Sequence, residues 1–408
     1  MIYEPETVKG FQDILPPDSQ KFHAIERLIE KHFKLYGFLP IKTPTIEFDE
    51  LMRTNNVGEE DEAVSDRFRL QDRGGRNLGL RYEFTFQLAR LFKQNPNIKL
   101  PLRRYQIGSV FRDEPTGQGR FKEFTQCDAD IIGDSSIEAD AECIALWSDI
   151  LKALKIKAEI HISNKKLAYA ILDSIQLQQK REILKELDKL DKLGEDTIKT
   201  NLKKYADANQ ILTLFKLLEK DLEFFVKNLF EGSDEIFKVQ ELGKTLGFTI
   251  KFNPFIVRGL SYYTGNVIEF KVAEGKHAIG GGGRYDGVAG RFLNRKIPAI
   301  GVSFGIERLM EYAQIKNETT KTLVISLEKD KEANNLAKKL RKENISCIMV
   351  SDKPGKALEY GNAYQIPYAI FIGAEELAKK KYKLKNMTSG EEKDLTEKKL
   401  ISLLKKES

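Results

Sequence analysis

The sequence predicts an α+β chain divided among two or three domains. Three observations carry this: hairpin-linked strand text occupies the first 165 residues and returns after residue 248, helical periodicity fills the interval, and strand alternates with helix after residue 320. At 408 residues the chain is also longer than one ordinary core.

From the N-terminus, Phe22, Ile25, Leu28, Ile29, Phe33 and Tyr36 recur at three-and-four spacing behind a Pro-Pro-Asp-Ser entry, which predicts an amphipathic helix from Asp18 to Tyr36. Phe38 to Phe48 reads as extended, and Pro40 and Pro44 confine it to a sheet edge, open to pairing with another subunit. Arg67 to Phe86 predicts a hairpin turning at Asp72–Asn77, with Arg81, Glu83 and Thr85 sharing one face of its second strand. Two further strands are predicted at Arg103–Phe111 and Lys122–Ile132. In the latter, alternation sets Phe124, Gln126, Asp128 and Asp130 on one face and Thr125, Cys127, Ala129 and Ile131 on the other. A solvent-facing sheet has the same pattern.

Lys/Glu/Leu-rich periodicity from Leu167 to Leu246 predicts a helical insertion. Glycine-rich strand text runs from Phe248 to Phe304, followed by a helix over Gly305–Gln314 and a polar linker, Lys316–Lys321. In the tail, strands at 323–327, 346–350 and 368–373 alternate with helices, as in an α/β layer of parallel strands. The expected domains are 1–165 with 248–316, an insertion at 166–247, and an α/β module at 321–408.

Net charge is +6, and residues 321–408 hold 19 Lys+Arg against 13 Asp+Glu, which accounts for the whole excess. A basic module on a neutral body suits a phosphate-bearing partner, although solvated lysines on helix faces give the same count. The longest uncharged stretch, Tyr360–Ala374, contains Asn362, Gln365 and Pro367 and is too short and polar to span a bilayer. The N-terminal text carries acids where a targeting peptide carries bases, so a cytosolic protein is expected. Cys127, Cys143 and Cys347 form no CxxC pair, and the four histidines form no HExxH, so no thiolate or imidazole metal centre is expected.

Two segments carry chemistry. Phe111-Arg112 through Arg120 to Phe124 is a strand–loop–strand with an arginine at its start and an aromatic near its end, a combination that can neutralise a phosphate and stack on a base. Gly301-Val-Ser-Phe-Gly305-Ile-Glu-Arg308 runs from strand into helix with an arginine in the first turn. The tetraglycine at 280–283 lacks the Gly-Lys-Ser/Thr of a Walker loop, and its glycines fit a strand backbone lying close to a small ligand. No HIGH-like or KMSKS-like text of the class I synthetases occurs.

With the helix and strand around Pro44, these segments resemble, in order, the three motifs of class II aminoacyl-tRNA synthetases. Val257-Arg258-Gly-Leu-Ser-Tyr-Tyr263-Thr-Gly and Ile279-Gly-Gly-Gly-Gly-Arg284-Tyr-Asp-Gly287 resemble the two histidine-specific motifs of the histidyl-tRNA synthetase family. Lys9–Pro16, Leu80–Thr85 and Leu384–Glu392 match that family as well, so the resemblance spans essentially the whole chain. It departs at Ser261, where the family usually carries Asp, and over Leu358–Asn362.

The resemblance implies a class II synthetase-type antiparallel sheet flanked by helices, with a helical insertion and a C-terminal α/β anticodon-binding domain. It also implies a homodimer formed through the first motif, and a histidine–tRNA ligase that uses ATP with Mg²⁺ and charges tRNA(His). Arg112 and Arg258 would hold the α-phosphate, with Arg308 and Arg120 at the β/γ end. Glu114 would hold the nucleotide, and Phe124 would stack on adenine. Glu83, Thr85 and Gln126 would meet the ammonium of histidine, while Asp130 and Tyr263 would read its imidazole, beside Arg258. The loop with Gln118 and Arg120 would face the tRNA acceptor end. The rivals are a non-catalytic paralogue, such as the regulatory subunit of ATP phosphoribosyltransferase, and another class II synthetase. Retention of Arg112, Arg258 and Arg308 and the basic tail weigh against the first; the two histidine-type motifs weigh against the second.

Overall fold

The computed structural model describes residues 4–52, 66–117, 119–256, 262–272, 278–315 and 320–406. The chain divides into two compact units, one of Met1–Asp13 and Ile25–Ile315, the other of Ile14–Ala24 and Lys316–Ser408. The first helix, Asp18–Leu35, matches its periodicity to within one residue.

The larger unit is organised by an eight-stranded sheet. In chain order its unit contains β1 (Leu39–Pro40), β2 (Ile46–Phe48), β3 (Arg69–Gln71), β4 (Asn77–Leu80), β5 (Leu102–Phe111), β6 (Glu123–Ile132), β7 (Ala158–Asn164), β8 (Ile250–Phe252), β9 (Asn266–Val272), β10 (Ala278–Arg284) and β11 (Ala299–Gly305). The large sheet has the order β1-β5-β6-β11-β10-β9-β7-β8, and β2-β4-β3 forms a separate small sheet. Every pairing from β5 to β7 is antiparallel, whereas β1 and β8 add parallel edges, which makes the sheet mixed. Pro40 therefore sits in an edge strand, where its missing N–H breaks no ladder.

Burial on one side of the sheet follows from apolar residues at helical spacing. Trp147 of the helix Ile137–Ala153 is fully buried, stacks on Phe304 of β11 at 4.1 Å and donates from Nε1 to the carbonyl of Val302 at 3.1 Å. Phe33 meets the Trp147 ring at 5.5 Å and the Tyr105 ring at 5.1 Å. The opposite face of β6, β10 and β11 carries the polar and glycine positions, and the functional cleft lies there.

Two expectations change here. The hairpin forms at the expected turn, with Gly75 at φ +75°, but β4 ends at Leu80. Residues 81–85 are irregular and Phe86 opens a helix, Phe86–Gln94, so Arg81, Glu83 and Thr85 do not share a strand face. The Arg81 guanidinium turns away to donate to the carbonyls of Ser109 and Thr43, at 2.6 and 3.1 Å. The insertion is helical as expected, from Lys165–Ser174 to Ser233–Leu246, and belongs to the larger unit.

In the smaller unit β12 (Thr322–Ser326), β13 (Cys347–Val350) and β14 (Tyr368–Ile372) are parallel, as the alternation implies. β15 (Tyr382–Asn386) and β16 (Glu392–Leu395) then extend the sheet in antiparallel fashion, which the all-parallel reading missed. Leu336 and Leu340 of the helix Asp330–Lys342 and Leu400 and Leu404 of the helix Glu397–Lys406 bury against Ile370 and Leu384. Cys127, Cys143 and Cys347 are free thiols and buried, acting as small hydrophobes.

Candidate functional site

A cleft of about 1020 Å³ opens on the polar face of the large sheet. Its floor follows from strand register. Asp130, Asp128 and Gln126 of β6 stand opposite Gly301, Ser303 and Gly305 of β11, so long acidic and amide side chains face a strip with little side-chain volume. The alternation read from sequence holds: Phe124, Gln126, Asp128 and Asp130 all line the cleft.

One end of the cleft is basic. Arg112 leaves β5 where its backbone N–H donates to Lys122 O at 2.8 Å and closes the hairpin. Its guanidinium lies over the Tyr82 ring at 4.5 Å and 5.0 Å from the Phe124 ring centre, a cation–π arrangement that orients the fork. Its polar contacts are long, 3.5 Å to Tyr82 O and 3.4 Å to Gln126 Oε1, so its donors are available to an incoming anion. Arg120 and Arg308 line the same cleft. Arg308 sits in the first turn of the helix Ile306–Tyr312 and donates from Nη1 to Ala278 O at 2.6 Å. Glu114 Oε1 accepts from the Tyr82 hydroxyl at 3.0 Å.

The other end is acidic and buried. Glu83 is buried; Oε2 accepts from the Tyr262 hydroxyl at 3.1 Å, whereas Oε1 has no hydrogen-bond partner. Burial, then the nearby charge of Asp128, pushes the Glu83 carboxyl up to about 7. A buried carboxylate oxygen without a donor is costly, and a cationic ligand at that point removes the cost. Thr85 lies beside it on the cleft wall. Gln126 donates from Nε2 to Asp128 Oδ1 at 2.8 Å. Asp130 accepts from the Tyr285 hydroxyl and lies 2.8 Å from Arg104 Nη2. Burial pushes both Asp128 and Asp130 up, with Arg104 acting in the opposite direction.

The ordered glycines do something other than expected. Space beside Gly280 is filled by the Phe304 ring and beside Gly283 by the Tyr263 ring, while Gly282 lies against the backbone of Gly301. The tract thus accommodates the protein's own rings and main chain, while Gly280, Gly281 and Gly282 also line the cleft together with Gly301 and Gly305 of β11. Tyr263 is buried, lines the cleft and packs edge-on to Tyr262 at 5.0 Å. Arg284 of the same motif is engaged by Asp140 and by the carbonyls of Asp134 and Ser136, a structural role.

Among the sequence-flagged positions, Arg112, Glu114, Arg120, Phe124, Arg308, Glu83, Thr85, Gln126, Asp130 and Tyr263 thus meet in one cleft. Arg258 and Gln118 lie outside the described residues; Ile256 and Tyr262, the described residues on either side of the former's segment, both line the cleft. Sequence reasoning put Asp128 on this face without giving it a role, and missed Tyr82, Tyr285, the pair Glu269 and Lys271 on β9, and Asp188 and Lys192 of the insertion, all on the cleft lining, as well as Arg104, the ion-pair partner of Asp130. For Arg104 alternation gives only a face of β5; its alignment with Asp130 is set by the β5–β6 register.

The family model "Histidyl-tRNA synthetase" matches residues 10–309, and the model "Anticodon binding domain" matches residues 321–407. A histidine–tRNA ligase 1 of Bacillus cereus is 35% identical over 413 residues, covering 95% of this chain and 94% of that protein. A histidine–tRNA ligase 2 of Shouchella clausii is 34% identical over 420 residues, with coverage of 96% and 98%. The crystal structure of a Nostoc histidyl-tRNA synthetase superposes with a TM-score of 0.88 at 25% identity over 100% of both chains. A Bacillus halodurans structure described as an ATP phosphoribosyltransferase regulatory subunit/histidyl-tRNA synthetase shares the fold, with a TM-score of 0.76 at 24% identity over 91% of this chain and 99% of that one.

Proposed function

This chain belongs to the histidyl-tRNA synthetase family, and from that premise we propose that its cleft activates histidine with ATP and then charges tRNA(His). In the first step a histidine carboxylate oxygen forms a bond to the α-phosphorus, the bond to the bridging oxygen breaks, and pyrophosphate leaves with the electron pair. In the second, the terminal ribose hydroxyl of tRNA attacks the activated carbonyl, AMP departs with the electron pair of the broken bond, and the hydroxyl proton is released to its phosphate or to solvent. Neither step needs a protein nucleophile; alignment and charge neutralisation suffice.

Arg112, with Arg258, holds the α-phosphate, and Arg120 and Arg308 hold the β/γ end. Guanidinium forks suit these positions because they bind two oxygens and keep their charge. Phe124 stacks on adenine, beside Glu114. Glu83 receives the ammonium on its unpaired oxygen, with Thr85 and Gln126 alongside, while Asp130 and Tyr263 read the ring. Mg²⁺ enters with ATP: no cluster of three or more His, Cys, Asp or Glu suited to a metal occurs among the described residues, and this ion commonly keeps water and phosphate oxygens as ligands. The module 321–408 grips the anticodon arm, though several of its lysines are already paired, as Lys339 is with Glu397 at 2.8 Å. Gln118 and Arg120 face the acceptor end. Leu39, Ile46 and Phe48, exposed at strand edges, support a homodimer. No helix among the described residues is long and apolar enough to cross a membrane, which is compatible with work in the cytosol.

The observation that carries the reading is a buried, half-unpaired carboxylate sharing one cleft with three arginines. Histidine-dependent exchange of pyrophosphate into ATP tests it. Exchange supported equally by proline or threonine, or no exchange with histidine, would overturn it.

Glu83 supplies a second test. Its raised pKa leaves it partly protonated in the free protein near neutrality, and an ammonium at Oε1 draws it back down. Histidine binding therefore releases protons below pH 7, and the release fades as the pH rises past 8. Titration calorimetry in buffers of differing ionisation heat measures this. Imidazolepropionate, which lacks the ammonium, should release fewer protons by the Glu83 share; equal release from both ligands would remove Glu83 from the ammonium site.

A further inference from the structure

We propose that Arg104 is a positioning residue of the histidine pocket, holding Asp130 as a fixed anion so that this carboxylate only accepts hydrogen bonds from the substrate ring. The inference rests on the histidine-activating reading of the cleft and adds a residue that does not touch the substrate.

Arg104 and Asp130 are direct cross-strand partners in the β5–β6 ladder, so their side chains leave the sheet on the same face. Arg104 is fully buried, 0% exposed, and Asp130 is 2% exposed. Nη2 of Arg104 lies 2.8 Å from Oδ2 of Asp130, an ion pair by distance, although none of the three Arg104 nitrogens nor Oδ2 makes an aligned hydrogen bond. The Tyr285 hydroxyl holds the other oxygen, Oδ1. The carboxylate is thus hydrogen-bonded at Oδ1 and ion-paired at Oδ2, and each oxygen retains a lone pair for a further donor. A guanidinium in such a place is not explained by stability, because buried ion pairs are often replaceable by packed apolar side chains at no loss.

The neighbours explain it. Asp128 lies two residues along β6 on the same face, Glu83 faces the pair from the 81–85 segment, Tyr285 follows β10, and Cys143 approaches from the helix Ile137–Ala153. Of these, the carboxylates oppose a further negative charge, and burial opposes it more strongly still. Arg104 is the group that favours ionised Asp130 from directly across the ladder. Without it Asp130 would hold a proton at neutral pH and present an O–H to a ring whose N–H also needs an acceptor.

The test compares wild type with R104M, R104K and R104M/D128N in histidine-dependent pyrophosphate exchange between pH 6 and 9. At pH 7, R104M should raise the KM for histidine by at least about tenfold, the equivalent of one pKa unit, with the KM for ATP within about twofold. The ratio of variant to wild-type kcat/KM for histidine should climb by up to about tenfold per pH unit toward pH 9, as one proton leaves Asp130. Taking the ratio cancels the substrate's own titrations. R104K should recover most of the loss by restoring the charge, and D128N should recover part of it by removing a repulsive neighbour. If R104M does not fold, R104Q carries the same expectations. A pH-independent ratio, an R104K no better than R104M, or parallel loss of histidine and ATP affinity would overturn the assignment. Each of those results leaves wild-type exchange, and so the reading of the cleft, untouched.

Discussion

Arg112→Ala should lower histidine-dependent pyrophosphate exchange on the order of 10³-fold while the protein stays folded. The size follows from where the guanidinium sits. Negative charge builds on the α-phosphate as the carboxylate oxygen attacks, and a preorganised donor aimed at such charge contributes about two to three powers of ten. Arg112 is preorganised by the rings of Tyr82 and Phe124 rather than by strong hydrogen bonds, so its donors are not spent on the protein. For the same reason its loss should cost the fold little, about 1 kcal/mol for a half-exposed cation–π contact. Arg112→Lys keeps a charge but loses the two-pronged geometry, and should fall between the two. Thermal unfolding and exchange measured on the same preparations separate the effects: near-wild-type exchange in Arg112→Ala would remove the residue from the phosphate site.

Much of this cleft was legible because β-strand side chains alternate with a period of two. That rule alone placed Phe124, Gln126, Asp128 and Asp130 on one surface. Applied to the 81–85 segment, it brought Glu83 and Thr85 to the site for the wrong reason. β4 stops at Leu80, and an irregular segment at the mouth of a helix, not a strand face, turns those side chains inward while sending Arg81 elsewhere. The function of Arg104 was invisible because an arginine near a strand start reads as solvated until its cross-strand partner is known. Register is a property of two segments at once. β15 and β16 escaped detection for a related reason: Tyr382–Asn386 and Glu392–Leu395 are short and rich in charged residues, so the two apolar positions of β15, Tyr382 and Leu384, give a weak alternation that only pairing along an existing sheet makes a strand.

Gly301→Ala should cripple histidine use more than about 10²-fold while leaving ATP binding close to normal. A methyl group on Gly301 would overlap the Asp130 carboxylate, with 2.7 Å to its Cγ and 3.2 Å to Cε1 of Tyr285. Arg104 across the ladder and Tyr285 on the far side block retreat within the sheet, which leaves the cleft as the way out for the Asp130 side chain. The carboxylate must leave its place between them, and a pocket built to accept a ring N–H then loses its acceptor. Stability should fall as well, by about 1–3 kcal/mol for overpacking and more if the ion pair opens. The single tryptophan, Trp147, is hydrogen-bonded to Val302, the residue next to Gly301, so its fluorescence reports on β11. Two comparisons separate site from scaffold. At Gly305 the same methyl would sit 3.5 Å from Phe124, an ordinary contact, so Gly305→Ala should keep histidine use near wild type. In Asp130→Ala/Gly301→Ala the clash is gone, so the double variant should be about as stable as Asp130→Ala alone and no better at using histidine, a non-additivity that contacting residues show and distant ones do not. Normal histidine affinity in Gly301→Ala would mean that the Asp130 carboxylate, wherever it then lies, is not what reads the ring.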